Sequence, residues 1–456
     1  MKKILCLLFV IYFAKTNSQC FQSFSCGQTS FSGIKANGEF WGWGSGYTGN
    51  WGTLNSGYIT CELINDNSFF SKISTSGEHS LAIKNDGSLW ASGSNYFGAI
   101  GDGTNINRNT FVQIGTDNDW MQIEAGIQTS FAIKNNGTLW AWGWNSYNQL
   151  GTESRGNINM PVQVGNETWI SIKTSYQTTI AIKSDGTLWV WGSNNGQYGN
   201  GTTNSNFLRN QVGTDNNWHV ISISAYSAYA IKNDGTLWAW GSNNVGQLGD
   251  GTLIDKYIPT QIGTDTDWKE VVAGLYHVLA IKNDGTLWAW GSNVYGQLGD
   301  GTFINKNTPV QVGLDNTWLN VDAGDNFSFG NKSTQQTYVW GSNNGFALGL
   351  GASFSNDRVN FPTLINGLIN CTSLSNEVID NNESFFISPN PSKDFISINN
   401  PNNLLIEKIK VFDLMGNILK TDININQIYV GNLSSGVYLV IIEGKNGFYV
   451  TKFIKS

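Results

Sequence analysis

The segment Ala280–Gly291 reads AIKNDGTLWAWG, and Ala230–Gly241 reads the same twelve letters. Related copies end at five other glycines, and the seven glycines stand 49 or 50 residues apart. They are Gly44, Gly93, Gly143, Gly192, Gly241, Gly291 and Gly341. A fixed period of this length indicates a repeat protein whose units stack to bury a continuous core.

Each copy contains the signals of four short strands. Val278–Lys282 and Thr286–Trp290 are predicted as a hairpin, because the Asn-Asp-Gly between them suits a tight turn. A strand that opens at Trp268 precedes them, and Thr308–Val312 supplies the outer strand. The second strand of the hairpin, which we call the return strand, alternates Leu and Ala with two tryptophans, so both of its faces must be covered. This pattern predicts an all-β fold, namely a seven-bladed β-propeller.

The composition agrees with this class. Of the 456 residues, 40% are hydrophobic, 13% aromatic and 13% charged, with 53 glycines. These values exclude a disordered chain, which would be charged and poor in aromatic residues. Of the 19 tryptophans, twelve lie at W-x-W-G strand ends, five open repeats and Trp51 takes a leucine position. Eighteen are therefore predicted to pack blades, and Trp144 is left over.

The first residues predict export. Residues 1–18 have the pattern of a signal peptide, in which Lys2 and Lys3 precede the apolar run Ile4–Phe13. That run is too short to cross a bilayer, which needs about 20 residues, and no longer run follows. No transmembrane segment is therefore expected.

The repeat resembles the regulator of chromosome condensation repeat family. The matching motifs are G-x-x-H-x-x-A-I-K-x-D-G-x-L-W-A-W-G and the G-Q-L-G-D-G-T that follows, best seen over Gly274–Thr302. The resemblance implies a seven-bladed propeller, which we assign to residues 19–371. The nucleotide-exchange activity known in that family depends on an inserted hairpin, and repeats of 49 or 50 residues leave no room for one.

The pattern changes after the repeats. Residues 372–384 are predicted as a linker and residues 385–456 as a small antiparallel β-sandwich. This domain resembles the C-terminal sorting domain of type IX secretion substrates, with a generic immunoglobulin-like domain as the alternative. The resemblance rests on the motifs SPNP, VFDLMG, LSSGVY and KFIK, which contain Pro389, Asn390, Pro391, Gly416, Gly436, Tyr438 and Lys455. It implies handling by the type IX secretion machinery and secretion or surface display by a Gram-negative bacterium.

Four cysteines follow the signal peptide, an even number that allows two disulfides in three possible pairings. Proline-led outer strands reach the next repeat's tryptophan in eight or nine residues, and counting nine from Pro362 gives Cys371. In a closed ring that position abuts the first repeat, which begins beside Cys20. We therefore predict a Cys20–Cys371 disulfide joining the ends, and a Cys26–Cys61 disulfide inside the first repeat.

The sequence offers little for catalysis. His79 and His277, two of the three histidines, take the same position in copies that are not ring neighbours, so a shared metal site is not expected. The Asp-Gly pairs fit turn chemistry, and the Asp-x-Asp segments lack the carboxylate that ends a calcium loop. We predict no catalytic residue, no metal and no cofactor, and the chain is not expected to be an enzyme.

One candidate binding site departs from the repeat in the third copy. Trp144 replaces a serine that the six other copies share, Tyr147 follows it, and Arg155 lies in the next part of the loop. Aromatic residues with an arginine are typical of sites that anchor proteins or glycans. The structural alternative is that Trp144 only covers a neighbouring loop.

A second candidate is the position nine residues before the isoleucine of A-I-K. Its members are Ser25, Ser74, Glu124, Lys173, Ser222, Val272 and Asp322. Glu124 and Lys173 belong to adjacent copies, and we expect them to form a structural salt bridge near the central channel.

The net charge of −7 comes without a basic cluster, so no nucleic-acid partner is expected. The sequence favours a secreted or surface-displayed, non-enzymatic scaffold that binds an extracellular protein or glycan. An extracellular glycan-directed enzyme is the main alternative, and a guanine-nucleotide exchange regulator is a less favoured one.

Overall fold

The computed structural model divides the chain into two compact units, Met1–Ser373 and Leu374–Ser456. The described residues are 21–35, 38–46, 49–52, 58–65, 69–152, 154–334, 336–350, 357–365, 386–388, 392–399, 406–412, 418–422, 427–444 and 447–455. The predicted signal peptide, the predicted linker, and Pro389, Asn390, Pro391 and Gly416 lie outside them. Within the described ranges, no helix is long and apolar enough to cross a membrane.

The first unit consists of short strands with a single 3-10 turn at Asn344–Phe346 in its described part. The strands are β1 (Phe21–Cys26), β2 (Ser30–Lys35), β3 (Phe40–Ser45), β4 (Tyr58–Asn65), β5 (Phe70–Thr75), β6 (His79–Lys84), β7 (Leu89–Gly93), β8 (Arg108–Gln113), β9 (Trp120–Ala125), β10 (Thr129–Lys134), β11 (Thr138–Gly143), β12 (Ile158–Ser175), β13 (Thr178–Lys183), β14 (Leu188–Gly192), β15 (Asn210–Gln211), β16 (Trp218–Ile223), β17 (Ser227–Lys232), β18 (Leu237–Gly241), β19 (Lys256–Gln261), β20 (Trp268–Ala273), β21 (His277–Lys282), β22 (Leu287–Gly291), β23 (Lys306–Gln311), β24 (Trp318–Ala323), β25 (Phe327–Lys332), β26 (Thr337–Ser342) and β27 (Arg358–Leu364).

Each repeat forms an antiparallel sheet whose strands pair in chain order. The described part of the first unit has five four-stranded sheets and one seven-stranded sheet. The larger sheet holds copies three and four, because β12 pairs with β11 through its first part and with β13 through its second. The prediction of an all-β fold built from four-stranded repeats is confirmed, and the number of seven blades stays the prediction from the repeat count.

Apolar cores lie between successive sheets. One contains Leu287 and Ala289 of copy six together with Trp318 and Trp340 of copy seven. Trp340 donates its indole N–H to the Gln297 carbonyl at 2.9 Å, so the core is also joined by a hydrogen bond. Both faces of the return strand are thus covered, as the alternation of apolar residues predicts.

The same tryptophan bond joins six pairs of repeats. The donor is the second tryptophan of W-x-W-G. The acceptor is a backbone carbonyl in the loop between the third and fourth strands of the preceding repeat. The pairs are Trp43 with Ala347, Trp142 with Ala99, Trp191 with Gln149, Trp240 with Gln197, Trp290 with Gln247 and Trp340 with Gln297. Glycine lets the ring lie this close: at Gly299 a Cβ would stand 2.8 Å from the Trp340 indole nitrogen.

The ring closes without an exchanged strand among the described residues, since the first and last sheets are β1–β4 and β24–β27. Trp43 donates to the Ala347 carbonyl at 2.9 Å, which repeats the internal junctions. The Cys26 backbone N–H donates to Asp322 at 2.7 Å. Side-chain contacts therefore hold the first repeat against the last.

The predicted Cys26–Cys61 disulfide is wrong. Cys26 lies on β1 and Cys61 on β4, the two edges of one sheet, with β2 and β3 between them. Three strand spacings amount to about 14 Å, and a disulfide spans Cα atoms up to roughly 7 Å apart. Assigning the two cysteines to one repeat said nothing about which strands they occupy.

The predicted Cys20–Cys371 disulfide lies outside the described residues and stays a prediction. Because the count from Pro362 places Cys371 beside the start of the first repeat, we expect peptide mapping of the non-reduced protein to recover a Cys20–Cys371 cross-link. A Cys20–Cys61 cross-link would contradict this pairing.

The second unit contains two antiparallel sheets. Its strands are β28 (Phe386–Ser388), β29 (Phe395–Asn399), β30 (Ile406–Phe412), β31 (Ile418–Asp422), β32 (Gln427–Tyr429), β33 (Gly436–Gly444) and β34 (Gly447–Lys455). The sheet orders are β28-β29-β32 and β31-β30-β33-β34. Ile396 of one sheet and Val411 of the other belong to a single core, as in a sandwich. Gly436 pairs with Lys455 across the hairpin, and Tyr438 is buried with its hydroxyl on the Ser434 carbonyl.

Candidate functional site

Two sets of loops form one face of the propeller unit, which we call the loop face. Inner turns join the first and second strands of each repeat, and outer loops join the third and fourth. Backbone hydrogen bonds tie them together: the Ser94 N–H donates to the Glu78 carbonyl at 2.9 Å, and the Trp144 N–H to the Gln128 carbonyl at 2.8 Å. Loop side chains vary without disturbing the sheets, so departures from the repeat on this face indicate candidate sites.

The structure brings Trp144 and Tyr147 together, with their rings edge to face and centroids 5.5 Å apart. Trp144 also lies 5.8 Å from Phe97, in the preceding repeat's outer loop. Arg155 instead lies 5.2 Å from the ring of Phe207, in the following repeat. The contact with Phe97 is what we expect if Trp144 only covers a neighbouring loop. The exposed face of Tyr147 fits a binding role. The binding role of these residues stays a prediction.

A cavity of about 270 Å³ occupies the centre of the propeller unit. The first strands of all seven repeats line it. Every member of the second candidate position faces it: Ser25, Ser74, Glu124, Lys173, Ser222, Val272 and Asp322. This position is therefore the channel-lining position of the repeat.

Side chains at the channel-lining position also join neighbouring repeats. Their oxygen atoms accept a backbone N–H from the next repeat around the ring. Four such bonds are present: Thr75 N–H to Ser25 (3.0 Å), Ala125 N–H to Ser74 (2.9 Å), Ala273 N–H to Ser222 (2.9 Å) and Cys26 N–H to Asp322 (2.7 Å). Asp322 thus closes the ring with the bond that serine makes elsewhere.

The predicted Glu124–Lys173 ion pair is confirmed, with Nζ and Oε2 3.0 Å apart. Glu124 is 13% exposed and Lys173 44% exposed, so the lysine projects into the channel. Burial raises the pKa of Glu124 even with the lysine beside it. The negative charge of Glu124 raises the pKa of Lys173. The pair joins copies three and four across the channel wall.

Two further acidic groups, Asp322 and Glu270, lie close enough to Lys173 that their charges also raise its pKa. Burial raises the pKa of Asp322 to about 6 and that of Glu270 to about 7. Burial, followed by the charge of Asp322, also raises the pKa of the Cys26 thiol well above its usual value. A thiol held protonated in this way is a poor nucleophile. The channel wall is therefore acidic, with Lys173 as its counter-charge.

The inner turns around one end of the channel carry residues that the sequence-based search missed. Tyr176 and Asp325 occupy one repeat position that elsewhere holds Gly77 or Ala225. Both line the cavity, and Tyr276 follows at the next position of its own repeat. An alignment of the seven inner turns would have identified Tyr176 and Asp325 as departures from the repeat, as the outer loops identified Trp144.

The two aligned histidines are buried and join blades. His79 Nε2 lies 2.8 Å from the Ser130 hydroxyl, and His277 Nε2 lies 3.0 Å from the Ser328 hydroxyl. Burial lowers the pKa of His79 to about 4 and that of His277 to about 3, so both rings are neutral at physiological pH.

The Asp-x-Asp segments hold lysines. Asp117 and Asp119 lie 2.6 and 3.0 Å from Lys134, whose ammonium stands over the rings of Trp120 and Trp140. Among the described residues, no three His, Cys, Asp or Glu side chains are grouped to hold a metal ion.

Comparison with known proteins identifies both parts of the chain. Two family profiles described as regulator of chromosome condensation (RCC1) repeat match the first unit. They cover residues 136–182, 234–281 and 284–330, and residues 70–99, 122–149, 169–199, 219–247 and 268–297. A profile described as secretion system C-terminal sorting domain matches residues 387–456. No curated protein matches the chain.

Solved structures show the same fold. Prp20p from Saccharomyces cerevisiae is 22% identical with a TM-score of 0.64, over 73% of this chain and 86% of that one. Yeast RCC1 (Prp20) bound to Kap60 is 21% identical with a TM-score of 0.64, over 73% of this chain and 84% of that one. Human WBSCR16 is 19% identical with a TM-score of 0.61, over 67% of this chain and 85% of that one. At these identities the likeness concerns the fold.

The sorting domain indicates secretion or display at the cell surface. The repeats, the propeller of four-stranded sheets and the sorting domain agree with the resemblances seen in the sequence. The chain therefore contains regulator of chromosome condensation repeats and carries a secretion system C-terminal sorting domain.

Proposed function

We propose that the protein binds an extracellular protein or glycan through its loop face and catalyses no reaction. The observation that carries this proposal is a set of exposed tyrosines on that face. Tyr96 is 74% exposed, Tyr295 42%, Tyr226 39% and Tyr147 37%. Tyrosine presents a large rigid ring with a polar tip and loses little conformational entropy on binding, as in antibody binding sites.

The sorting domain supports an extracellular partner. It matches a secretion family over residues 387–456, and we infer that the type IX secretion machinery recognises it. The propeller would then meet its ligand outside the cell, where surface glycans and secreted proteins are available.

The proposal is tested by presenting the purified protein to a glycan array and to an extracellular protein extract. We expect a ligand that is retained and recovered unchanged. A bound polysaccharide that is cleaved would overturn the non-enzymatic part and favour a glycan-directed enzyme.

The third-copy site is tested by the double variant Trp144→Ala and Arg155→Ala. If these side chains anchor the ligand, affinity should fall by about tenfold or more, because truncating an interface anchor costs roughly 2 kcal/mol. Tyr295→Ala serves as a comparison, since Tyr295 takes the position of Tyr147 in copy six: a larger loss in the double variant assigns the main anchor to copy three. Unchanged affinity of the double variant for every ligand found would refute this site.

A further inference from the structure

One end of the central channel opens on the loop face, where five residues form what we call the mouth cluster: Gln28, Tyr176, Tyr226, Tyr276 and Asp325. The Asp325 N–H donates to the Gln28 carbonyl at 3.0 Å, and the Gln28 amide lies 3.5 Å from the Tyr176 hydroxyl. The rings of Tyr226 and Tyr276 stack with centroids 5.8 Å apart. Inner turns from both halves of the ring therefore meet at this mouth.

Asp325 supplies a negative charge that the described residues leave uncompensated. Its backbone is hydrogen-bonded, but within the described ranges its carboxylate has no hydrogen-bond or ion-pair partner. Burial raises the pKa of Asp325 to about 6, so the carboxylate is charged at neutral pH and poorly solvated. A cation at the mouth would compensate this charge.

The aromatic residues are suited to the same ligand. Tyr176 has φ = 52°, a left-handed conformation that costs a tyrosine about 1 kcal/mol or more. The sheets do not require tyrosine there, because Gly77 and Ala225 hold the same repeat position. The strain is thus accepted at an inner turn that brings a tyrosine ring to the mouth near Asp325.

The channel below adds to the negative potential. Glu124, Glu270 and Asp322 are acidic, and Lys173 neutralises one of these charges. A narrow opening lined by one sign of charge concentrates ligands of the other sign. The mouth is therefore acidic and aromatic at once.

We propose that the mouth cluster binds a lysine ammonium or arginine guanidinium group of a protein partner. Asp325 forms the charged hydrogen bond, and the tyrosine rings contact the cation through their faces. The inference rests on the proposed binding function and narrows the ligand to a protein with an exposed basic segment. A neutral glycan has no charge to pair with Asp325, and the chain's net charge of −7 also favours a basic partner.

The test measures binding of hexalysine and hexaarginine peptides to the full-length protein by calorimetry. We expect both peptides to bind. Asp325→Asn keeps the shape of the side chain and removes its negative charge, so the affinity should fall about fivefold to tenfold. Asp357→Asn removes the same charge from an exposed outer loop and should change affinity less than twofold. Tyr176→Asn should weaken binding without unfolding the protein, because asparagine tolerates the left-handed conformation at this position.

Acidification provides a second readout. Affinity should fall between pH 7.5 and pH 5, because Asp325 takes up a proton with a pKa of about 6. The titratable groups placed against it are Tyr176 and Tyr276, whose pKa values are raised above 10.0, so both stay neutral in this range. The loss should be clearly smaller in Asp325→Asn, where only the channel acids Asp322 and Glu270 still take up protons in this range.

Three outcomes would overturn the inference. Equal losses in Asp325→Asn and Asp357→Asn would reduce the binding to general charge attraction. Absence of peptide binding while the loop face still retains a natural ligand would refute the basic-group site and leave the proposed function intact. Binding of a neutral oligosaccharide that Tyr176→Asn abolishes would assign the mouth to a glycan.

Discussion

Replacing Trp43 with alanine is expected to lower the free energy of unfolding by about 3–5 kcal/mol, the usual loss for a buried aromatic side chain. Trp43 is fully buried, stacks on Phe31 with centroids 3.8 Å apart and donates to the Ala347 carbonyl at 2.9 Å. It joins the first repeat to the last, where no strand is exchanged among the described residues. Urea unfolding followed by tryptophan fluorescence measures the change.

Trp142→Ala is the matched control. Trp142 makes the same bond, to Ala99 at 2.8 Å, between repeats that are consecutive in the chain. Both variants should lose similar stability, but native-state hydrogen exchange should accelerate in β1–β4 and β24–β27 only for Trp43→Ala. Equal exchange patterns in the two variants would show that the junction between the chain's ends is not special.

The predicted Cys20–Cys371 disulfide bears on the same junction. A covalent link between the ends would keep the first and last repeats together after Trp43 is removed, because it restricts the conformations of both the unfolded chain and a ring opened at this junction. The loss in Trp43→Ala should therefore be larger under reducing conditions. A loss that is independent of reductant would indicate that no disulfide joins the ends.

The repeat made the fold predictable, because each copy carries its own turn glycine, strand pattern and packing tryptophan. Departures from the repeat were harder to interpret. Ser92 stands where other copies have tryptophan, and its hydroxyl donates to the Asn50 carbonyl at 3.1 Å. The neighbouring Trp51 is buried in the core that joins the same two repeats. The sequence placed Trp51 in a leucine position without indicating that its junction lacks the usual tryptophan.

The candidate sites were predictable only in part. Counting from A-I-K located the channel-lining position and the Glu124–Lys173 pair, because register along a strand fixes which side chains share a face. The Cys26–Cys61 prediction failed because the position of a strand within its sheet is not visible in residue spacing. The mouth cluster was missed because its turns hold a different residue type in nearly every repeat.

Glu270→Gln is expected to stabilise the protein at pH 8 by about 1–3 kcal/mol. Burial raises the pKa of Glu270 from 4.5 to about 7, so ionising this carboxylate in the folded state costs free energy. Glutamine keeps an oxygen that can accept the hydrogen bond from the Val321 N–H, and it carries no charge. The full shift corresponds to about 3 kcal/mol, and the partial exposure of Glu270 to solvent reduces it.

The sign follows from proton uptake. Between pH 4.5 and about 7 the folded protein holds the Glu270 proton more tightly than the unfolded chain does, so this group makes stability fall as pH rises through that window. His79 and His277, with lowered pKa values of about 4 and about 3, act in the opposite direction. Both proteins contain these histidines, so their effect cancels when the variant is compared with the parent. The advantage of Glu270→Gln should be near zero below pH 4.5 and complete at pH 8.

Glu124→Gln is the matched control, because it removes another buried carboxylate whose pKa is raised but also removes the partner of Lys173, 3.0 Å away. It should lower stability at pH 8 by about 1 kcal/mol, since Lys173 keeps its charge and partial solvation. Urea midpoints at pH 4, 6 and 8 distinguish the two variants. If Glu270→Gln and Glu124→Gln shift the midpoint in the same direction at pH 8, the channel acids share one environment and the contrast between a paired and an unpaired carboxylate is wrong.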